Sequence, residues 1–247
     1  MNNFNNSSEN KGNEGNQRID DLQNGFFIIQ NPKDFCFGID AVLLSNFVSL
    51  KNVKRALDLG CGNGIIPILL QAKAPVNVVG LEIQESSVSL ARKSVSLNNL
   101  EENITIHQGD IKEIPTILKG QKFDIVVSNP PYMNSGGGIL NEKESLAIAR
   151  HEVKCTLEDV IKGAAYVLNH LGRFYMIHRP SRLVDIITTL RLNKLEPKCI
   201  RFVHSYKDTE AVFVLVEASL GGKAFSKIMP PIFLYERLSS AGDTIFA

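Results

Sequence analysis

From residue 55 onward, short β-branched apolar runs alternate with longer amphipathic segments, and this alternation is the strongest constraint on the fold. Parallel strands are expected at 56–59, 76–81, 104–107, 123–127 and 173–177. Helices are expected near 65–70, 85–98, 111–118, 157–169 and 181–192. Repeated strand–helix units predict an α/β fold with a doubly wound, mostly parallel sheet and helices on both faces.

The two ends of the chain differ from this regular middle part. Residues 1–22 are rich in Asn, Ser, Gly and Glu, which predicts a disordered tail ahead of a single domain at 23–247. Near the end, the runs 199–203 and 211–216 have no helix between them. We expect these two runs to form an antiparallel hairpin at the edge of the sheet.

Composition and cysteine usage indicate an ordinary cytoplasmic protein. No apolar run approaches the roughly 20 residues that span a bilayer, and the polar N-terminus does not resemble a secretory signal. The four cysteines lie apart without a C-x-x-C pair, which argues against zinc and against a disulfide framework. The net charge of +1 does not by itself predict a polyanion partner. We expect no membrane and no metal, and we assume a monomer.

A double-proline turn follows the fourth strand, in Ser128-Asn129-Pro130-Pro131-Tyr132. Neither proline has an N–H, so the strand must stop there, and Asn129 is fixed in an extended conformation. The Asn129 side-chain oxygen and the Pro130 carbonyl are two acceptors for one NH2 group. Tyr132 adds a ring on which a flat group can stack. The alternative is an ordinary turn at the end of a strand.

A glycine-rich loop joins the first strand to the first helix of the regular part, in Asp58-Leu59-Gly60-Cys61-Gly62-Asn63-Gly64. Its glycines allow positive φ and bring bare backbone close to a ligand at a helix N-terminus. Glu82 follows the next strand, where an acid accepts from ribose hydroxyls. Asp58 would repel a pyrophosphate and suits a ligand with an amino end. The spacing therefore favours S-adenosylmethionine over NAD.

Two further acids have a structural and a ligand-binding interpretation each. Asp110 follows the third strand, where its carboxylate would accept from an adenine amino group beside the apolar Ile111. The alternative for Asp110 is the N-cap of the helix near 111–118. Asp40 precedes Ala41-Val42-Leu43-Leu44, and we expect it to be a helix N-cap, with a role in lining the cofactor pocket as the alternative.

Taken together, the glycine loop, Glu82, Gly109-Asp110 and Asn129-Pro130-Pro131-Tyr132 resemble the class I S-adenosylmethionine-dependent methyltransferases that methylate amino nitrogens. The resemblance covers about residues 25–237 and implies a Rossmann-like methyltransferase sheet. It implies catalytic roles for Asn129, Pro130, Pro131 and Tyr132. It implies cofactor binding by the set Asp58, Gly60, Cys61, Gly62, Gly64, Glu82, Ile83, Asp110, Ile111 and Asn129.

Within that class, the chain is most similar to the bacterial methyltransferases that modify adenine N6 beside the anticodon of a valine tRNA. The similarity lies in Phe37–Leu44, Ala149–Glu152 and His178–Pro180. It implies a tRNA substrate, with His151 and Arg179 either touching RNA or bracing loops. The alternatives are a glutamine N5-methyltransferase acting on release factors, a DNA adenine methyltransferase and a non-catalytic nucleotide-binding module.

Overall fold

A computed structural model of the protein describes residues 17–32, 36–130, 155–237 and 243–245. Pro131, Tyr132 and residues 149–152 lie outside the described residues, so the roles that we expect for them stay predictions.

Within these ranges, nine strands form the central sheet. Its parallel strands are β3 (Arg55–Leu59), β4 (Asn77–Glu82), β5 (Ile104–Gln108), β6 (Phe123–Ser128) and β7 (Leu168–His178). The strands that complete it are β8 (Leu195–His204), β9 (Ala211–Leu220), β10 (Lys227–Ile228) and β11 (Ile232–Phe233). The order is β10-β8-β9-β7-β6-β3-β4-β5, and β11 also pairs with β8. This order turns back on either side of β3, which confirms the doubly wound topology.

The late hairpin is confirmed and is larger than expected. β9 runs antiparallel to both β7 and β8, so one strand of the hairpin joins the sheet directly. β10 and β11 then add parallel to β8 on its outer side. Two-residue strands carry too little periodicity to be detected in a sequence.

Helices cover both faces of the sheet. Helices α1 (Ile39–Phe47), α2 (Ile65–Lys73) and α3 (Glu85–Leu97) pack on one face. The other face carries α4 (Ile114–Ile117), α5 (Leu157–Val167) and α6 (Leu183–Leu192). The weak helix expected near 111–118 is a 3-10 turn followed by α4.

Side chains along the central strands alternate between the two faces, as the two-residue period of a strand requires. Ala56, Ile125 and Val127 belong to the core under α1–α3, whereas Leu57 and Val126 belong to the opposite core. All five are fully buried. Both cores therefore share one sheet, whose middle strands are apolar on both sides.

The predicted boundary between tail and domain, at residues 22 and 23, falls inside a small sheet, whereas residues 1–16 of the predicted tail lie outside the described residues. Residues Arg18–Asp21 form β1, which pairs antiparallel with β2 (Phe27–Gln30). Gln30 is buried, and its amide donates to the Asp20 carboxylate. This contact and the pairing of the two strands join to β2 a segment whose composition alone resembles a disordered tail. A second small sheet joins β12 (Tyr235–Arg237) to β13 (Asp243–Ile245).

Candidate functional site

The carboxyl ends of β6, β3 and β4 lie side by side, and hydrogen bonds between neighbouring strands join them. The buried Ser128 hydroxyl at the end of β6 donates to the Leu59 carbonyl at the end of β3, at 2.9 Å. The Gly60 N–H donates to the Leu81 carbonyl of β4, at 2.8 Å. The glycine loop and Asn129 are thus held at one edge of the sheet, where open α/β sheets bind their ligands.

The glycine loop has the backbone that its composition predicts. Gly60, Gly62 and Gly64 have φ values of +77°, +53° and +87°, which favour glycine over every other residue. No heavy atom lies within 4 Å of where a Cβ would stand on Gly60 or Gly62. Open space therefore borders the loop, and Gly64 is the N-cap of α2.

Asp58 lies directly below this loop and is fully buried. Neither of its carboxylate oxygens has a hydrogen-bond partner among the described residues. Its pKa is raised well above the ordinary value, first by burial and then by the negative charge of Glu82. A buried carboxyl group without donors is costly, so the position suits a ligand that brings a cationic donor.

Glu82 stabilises the loop from the end of β4. Its Oε2 accepts from the Gly62 N–H at 3.0 Å, and its Oε1 accepts from the Gln84 N–H at 2.8 Å. Each oxygen of a carboxylate retains a second lone pair. Glu82 therefore fixes the shape of the loop and still has capacity to accept from a ligand hydroxyl.

Cys61 faces away from the open side of the loop. Its side chain is 3% exposed, and a Cβ on Gly80 would stand only 2.7 Å from the Cys61 Sγ. Its backbone N–H already donates to the Leu81 carbonyl at 3.2 Å. The Cys61 thiol thus supports the loop from inside the protein, and contact of this residue with a cofactor stays a prediction.

Asn129 presents an acceptor whose hydrogen-bonding capacity is unused. Its Oδ1 is buried and has no hydrogen-bond partner among the described residues. Its Nδ2 donates to the Asp40 Oδ2 at 3.1 Å. Pro130, the next residue, is partly buried beside it. The amide oxygen is therefore the end of Asn129 that remains for a donor.

The predicted N-cap role of Asp40 is wrong. Helix α1 begins at Ile39 and its N-cap is Gly38, in an extended conformation. Asp40 is instead the second residue of the helix and is 7% exposed. Its Oδ2 accepts from the Asn129 Nδ2 at the end of β6. The alternative that we gave, a place in the lining of the site, fits this geometry.

Asp110 has the capping role that we gave as its alternative. It is the N-cap of the 3-10 turn Ile111–Glu113, and its Oδ1 accepts from the Lys112 N–H at 2.9 Å. Its Oδ2 lies 3.5 Å from the Lys112 Nζ. Ile111 is partly buried beside it, and Ile83 after β4 is 37% exposed. These three residues are near neighbours of the strand ends, and their contact with a cofactor stays a prediction.

The end of β7 adds a buried histidine next to an arginine. His178 is 4% exposed, and its Nδ1 accepts from the Arg179 N–H at 2.8 Å. Burial is the main cause that lowers the His178 pKa to about 4, and Arg182 adds to it. The Arg179 guanidinium lies 5.0 Å above the Phe213 ring and donates to the Val212 carbonyl. Arg179 thus braces β9 as well as bordering the site edge.

Gln30 connects β2 to Asn63 of the glycine loop, and the sequence analysis did not predict this contact. The Gln30 Oε1 accepts from the Phe37 N–H at 3.0 Å and from the Asn63 Nδ2 at 3.5 Å. Both side chains are at least nine-tenths buried. A polar residue that ends an apolar strand, as Gln30 ends β2, was the available signal.

Two surface cavities of about 330 Å³ each lie away from the glycine loop. The first borders the amino ends of β6 and of the parallel part of β7, and is lined by residues that include Asp124 and Arg173. The second lies between the 3-10 turn and α5, and Ile111 is the one predicted site residue that lines it. In the described ranges no group of three His, Cys, Asp or Glu side chains is placed to hold a metal ion. None of the described helices is long and apolar enough to cross a membrane.

Comparison with protein families gives a match over most of the chain. The model of a family described as "Methyltransferase domain" matches residues 50–217. Among curated proteins, the tRNA1(Val) (adenine(37)-N6)-methyltransferase of Bacteroides thetaiotaomicron is 30% identical over 154 residues. That of Porphyromonas gingivalis is 31% identical over 156 residues. The matches cover 62% and 60% of this chain, and the same shares, less than two thirds, of the relatives' own lengths.

Solved structures share the fold. A predicted O-methyltransferase from Agrobacterium tumefaciens aligns with a TM-score of 0.66 at 24% identity, over 82% of this chain and 90% of that one. A 16S rRNA N2 methyltransferase from T. thermophilus, in complex with AdoMet and guanosine, aligns with a TM-score of 0.55 at 20% identity. That alignment covers 78% of this chain and 47% of that one. At such identities the likeness establishes the architecture alone.

Proposed function

The chain belongs to the methyltransferase domain family that matches residues 50–217, and from this premise we propose that it transfers a methyl group from S-adenosylmethionine to adenine N6 in RNA. The substrate that we propose is the anticodon loop of a valine tRNA in the cytoplasm. The curated relatives that carry this activity by name are about 30% identical to the chain.

One observation carries the proposal more than any other. The Asn129 Oδ1 is buried and has no partner among the described residues, and it lies at the end of β6, which Ser128 joins to the end of β3 just before the glycine loop. A buried acceptor without a donor costs free energy, about 1–3 kcal/mol. An unsatisfied buried acceptor calls for an explanation, and a hydrogen-bond donor on a bound ligand provides one. An exocyclic amine supplies that donor.

The residues of the loop fit S-adenosylmethionine. The two Asp58 oxygens, which have no partner in the part of the chain that the structure describes, suit the ammonium group of its methionine part. Glu82 retains lone pairs for ribose hydroxyls, and the bare backbone of Gly60 and Gly62 allows a close approach. Ile83 and Ile111 offer apolar surface to the adenine ring, and Asp110 offers its carboxylate to the adenine amine. When bound, the cofactor supplies an electrophilic methyl sulfonium.

The chain's own contribution is then to hold and orient the target amine. The lone pair of an aromatic amine is delocalised into its ring, so the nitrogen is a weak nucleophile. Acceptance of its hydrogens by the Asn129 Oδ1 and the Pro130 carbonyl favours a more localised lone pair aimed at the methyl group. We propose that the target base turns out of a single-stranded loop and stacks on the Tyr132 ring.

The test is a methyl-transfer assay on unmodified total tRNA, followed by mass spectrometry of the nucleosides. We expect N6-methyladenosine at one position of a valine tRNA. In Asn129→Ala, kcat should fall roughly 100-fold, because an acceptor used in the transition state is lost. The affinity for S-adenosylmethionine, measured by calorimetry, should stay close to that of the unaltered protein.

Asn193→Ala is the matched control, since Asn193 caps the end of α6 through the Thr189 carbonyl and lies outside the site. It should leave turnover unchanged. If tRNA stays unmodified while a release factor offered as substrate is methylated, the result would contradict the proposal and favour a glutamine N5-methyltransferase. Methylated DNA would favour a DNA adenine methyltransferase, and binding without any transfer a nucleotide-binding module.

A further inference from the structure

We propose that Asp40 is a positioning residue, which holds the Asn129 amide so that its oxygen, and not its NH2 group, faces the substrate amine. This inference rests on the proposed function. Its basis is the hydrogen bond of 3.1 Å from the Asn129 Nδ2 to the Asp40 Oδ2. The bond joins two residues 89 positions apart in the sequence, and Asp40 is 7% exposed.

The orientation of an asparagine amide decides what it can bind. Its two ends have nearly the same shape, but one end accepts hydrogen bonds and the other donates them. Rotation by half a turn would present the Asn129 NH2 group to a substrate amine, donor against donor. An ionised carboxylate has acceptors alone, so Asp40 pairs with the NH2 end and leaves the Oδ1 for the substrate.

Asp40 is itself fixed by its own helix. Its Oδ1 accepts from the Ala41 N–H at 3.0 Å. Gly38 leaves room for this conformation, because a Cβ at that position would stand 2.8 Å from the Asp40 Oδ1. The segment Phe37-Gly38-Ile39-Asp40 thus acquires a function that its spacing did not reveal. The glycine permits the carboxylate to lie between the first turn of α1 and the end of β6.

Both Asp40 oxygens must accept, so asparagine is not an adequate replacement. In Asp40→Asn the new NH2 group opposes either the Ala41 N–H or the Asn129 NH2. In Asn129→Asp two carboxylates face each other across the same 3.1 Å contact. The double variant Asp40→Asn/Asn129→Asp reverses the bond. Residue 40 then donates to the carboxylate at 129, whose other oxygen still accepts from the substrate.

The experiment measures methyl transfer to tRNA for these three variants. We expect each single variant to lower kcat about tenfold or more, with an unchanged KM for S-adenosylmethionine, because geometry and not affinity is lost. The double variant should recover at least about tenfold over the weaker single variant. A double variant no better than either single one would overturn the inference. Asp185→Asn, a change on the exposed face of α6, is the matched control.

A second readout is independent of activity. The side-chain NH2 signals of Asn129, identified by their loss in Asn129→Asp, should exchange with solvent about tenfold faster in Asp40→Ala. Unchanged exchange would overturn the inference. If the unaltered protein methylates no tRNA but exchange does respond to Asp40, the proposed function fails and the positioning contact stands. If it methylates tRNA and Asp40→Asn keeps full turnover, the positioning role fails alone.

Discussion

Among the described residues, several buried side-chain oxygens have no hydrogen-bond partner, and three of them lie at the candidate site, two on Asp58 and one on Asn129. Both residues lie at carboxyl ends of neighbouring strands, whereas Ser128 and Glu82 at the same edge have found backbone partners. At this edge, the polar groups that join the strands and the loop are satisfied, whereas the Asp58 carboxylate and the Asn129 Oδ1 remain available to a ligand. This division between structural and ligand-facing polar groups predicts how substitutions should differ.

Asp58→Asn should change the proton balance of cofactor binding. The raised pKa of Asp58 follows from burial and from Glu82, and a bound ammonium would lower that pKa again. Binding by the unaltered protein should therefore release protons, and affinity should rise as pH rises through the pKa of Asp58. The variant should bind about tenfold or more weakly without this release. Calorimetry in buffers of different ionisation enthalpy measures both, and equal release in the variant would contradict the role.

His178 should make stability sensitive to mild acid. Its folded pKa of about 4 lies below the unfolded value of about 6.5, so the unfolded state alone binds a proton between these values. The contribution of neutral His178 to the free energy of unfolding is fully present above about pH 6.5, and it is lost as the pH falls from there toward 4. In His178→Asn, whose amide oxygen can still accept from the Arg179 N–H, this loss should vanish. Urea unfolding measures this change: between about pH 7 and pH 5, the free energy of unfolding should fall by about 2 kcal/mol more in the unaltered protein than in the variant.

At the scale of elements, the N-terminal hairpin is attached to the core by side chains that imitate a strand. Asn98, just after α3, accepts from the Phe27 N–H at 2.8 Å and donates to the Phe27 carbonyl at 2.7 Å. The buried Ser94 hydroxyl accepts from the Ile29 N–H at 3.0 Å. The hairpin thereby joins α3, and through Gln30 it reaches the glycine loop.

Asn98→Ala should loosen this hairpin without unfolding the domain. Both hydrogen bonds to Phe27 disappear, at a cost of about 1 kcal/mol each. The Phe27 amide should then exchange with solvent about tenfold or more faster, while amides of β6 keep their rates. Asn103→Ala, after the turn that follows α3, is the matched control. Unchanged exchange at Phe27 would mean that packing alone holds the hairpin.

The sequence predicted the elements whose period is long enough to read, and missed those that tertiary contacts create. β3–β6 and α3 lie within a residue or two of their expected ends. By contrast, β7 begins at Leu168, inside the helix expected at 157–169, because pairing with β6 overrides local propensity. At the site, spacing predicted the glycine loop, Glu82 and Asn129, and the structure brings all three to one edge of the sheet. The partner of Asn129 was not, since a contact across 89 residues leaves no local signal.

At the scale of the whole molecule, one sheet carries two apolar cores. Leu44 of α1 belongs to the first core and Leu190 of α6 to the second, and both are fully buried. Strands such as β6 contribute alternate residues to each core. Neither core can therefore be lost while the other keeps its native packing.

Leu44→Ala and Leu190→Ala should each destabilise the entire domain. Each change removes a fully buried side chain and should lower the free energy of unfolding by about 2–5 kcal/mol. Because the cores share their strands, we expect a single transition at a lower midpoint in both variants. Circular dichroism in the far and near ultraviolet should report coincident curves. A second, separate transition in either variant would show that the two faces unfold independently.

The Cys61 thiol, seated between the glycine loop and Gly80, gives the protein a native chemical reporter. Its side chain is 3% exposed, so we expect alkylating reagents to reach it only when the loop moves, and burial together with the neighbouring acids raises its pKa, which slows the reaction further. Cys36, Cys155 and Cys199 are partly exposed, so their alkylation does not require the loop to move. The rate at which Cys61 is alkylated therefore reports how often the glycine loop opens, and a ligand bound against that loop would lower this rate.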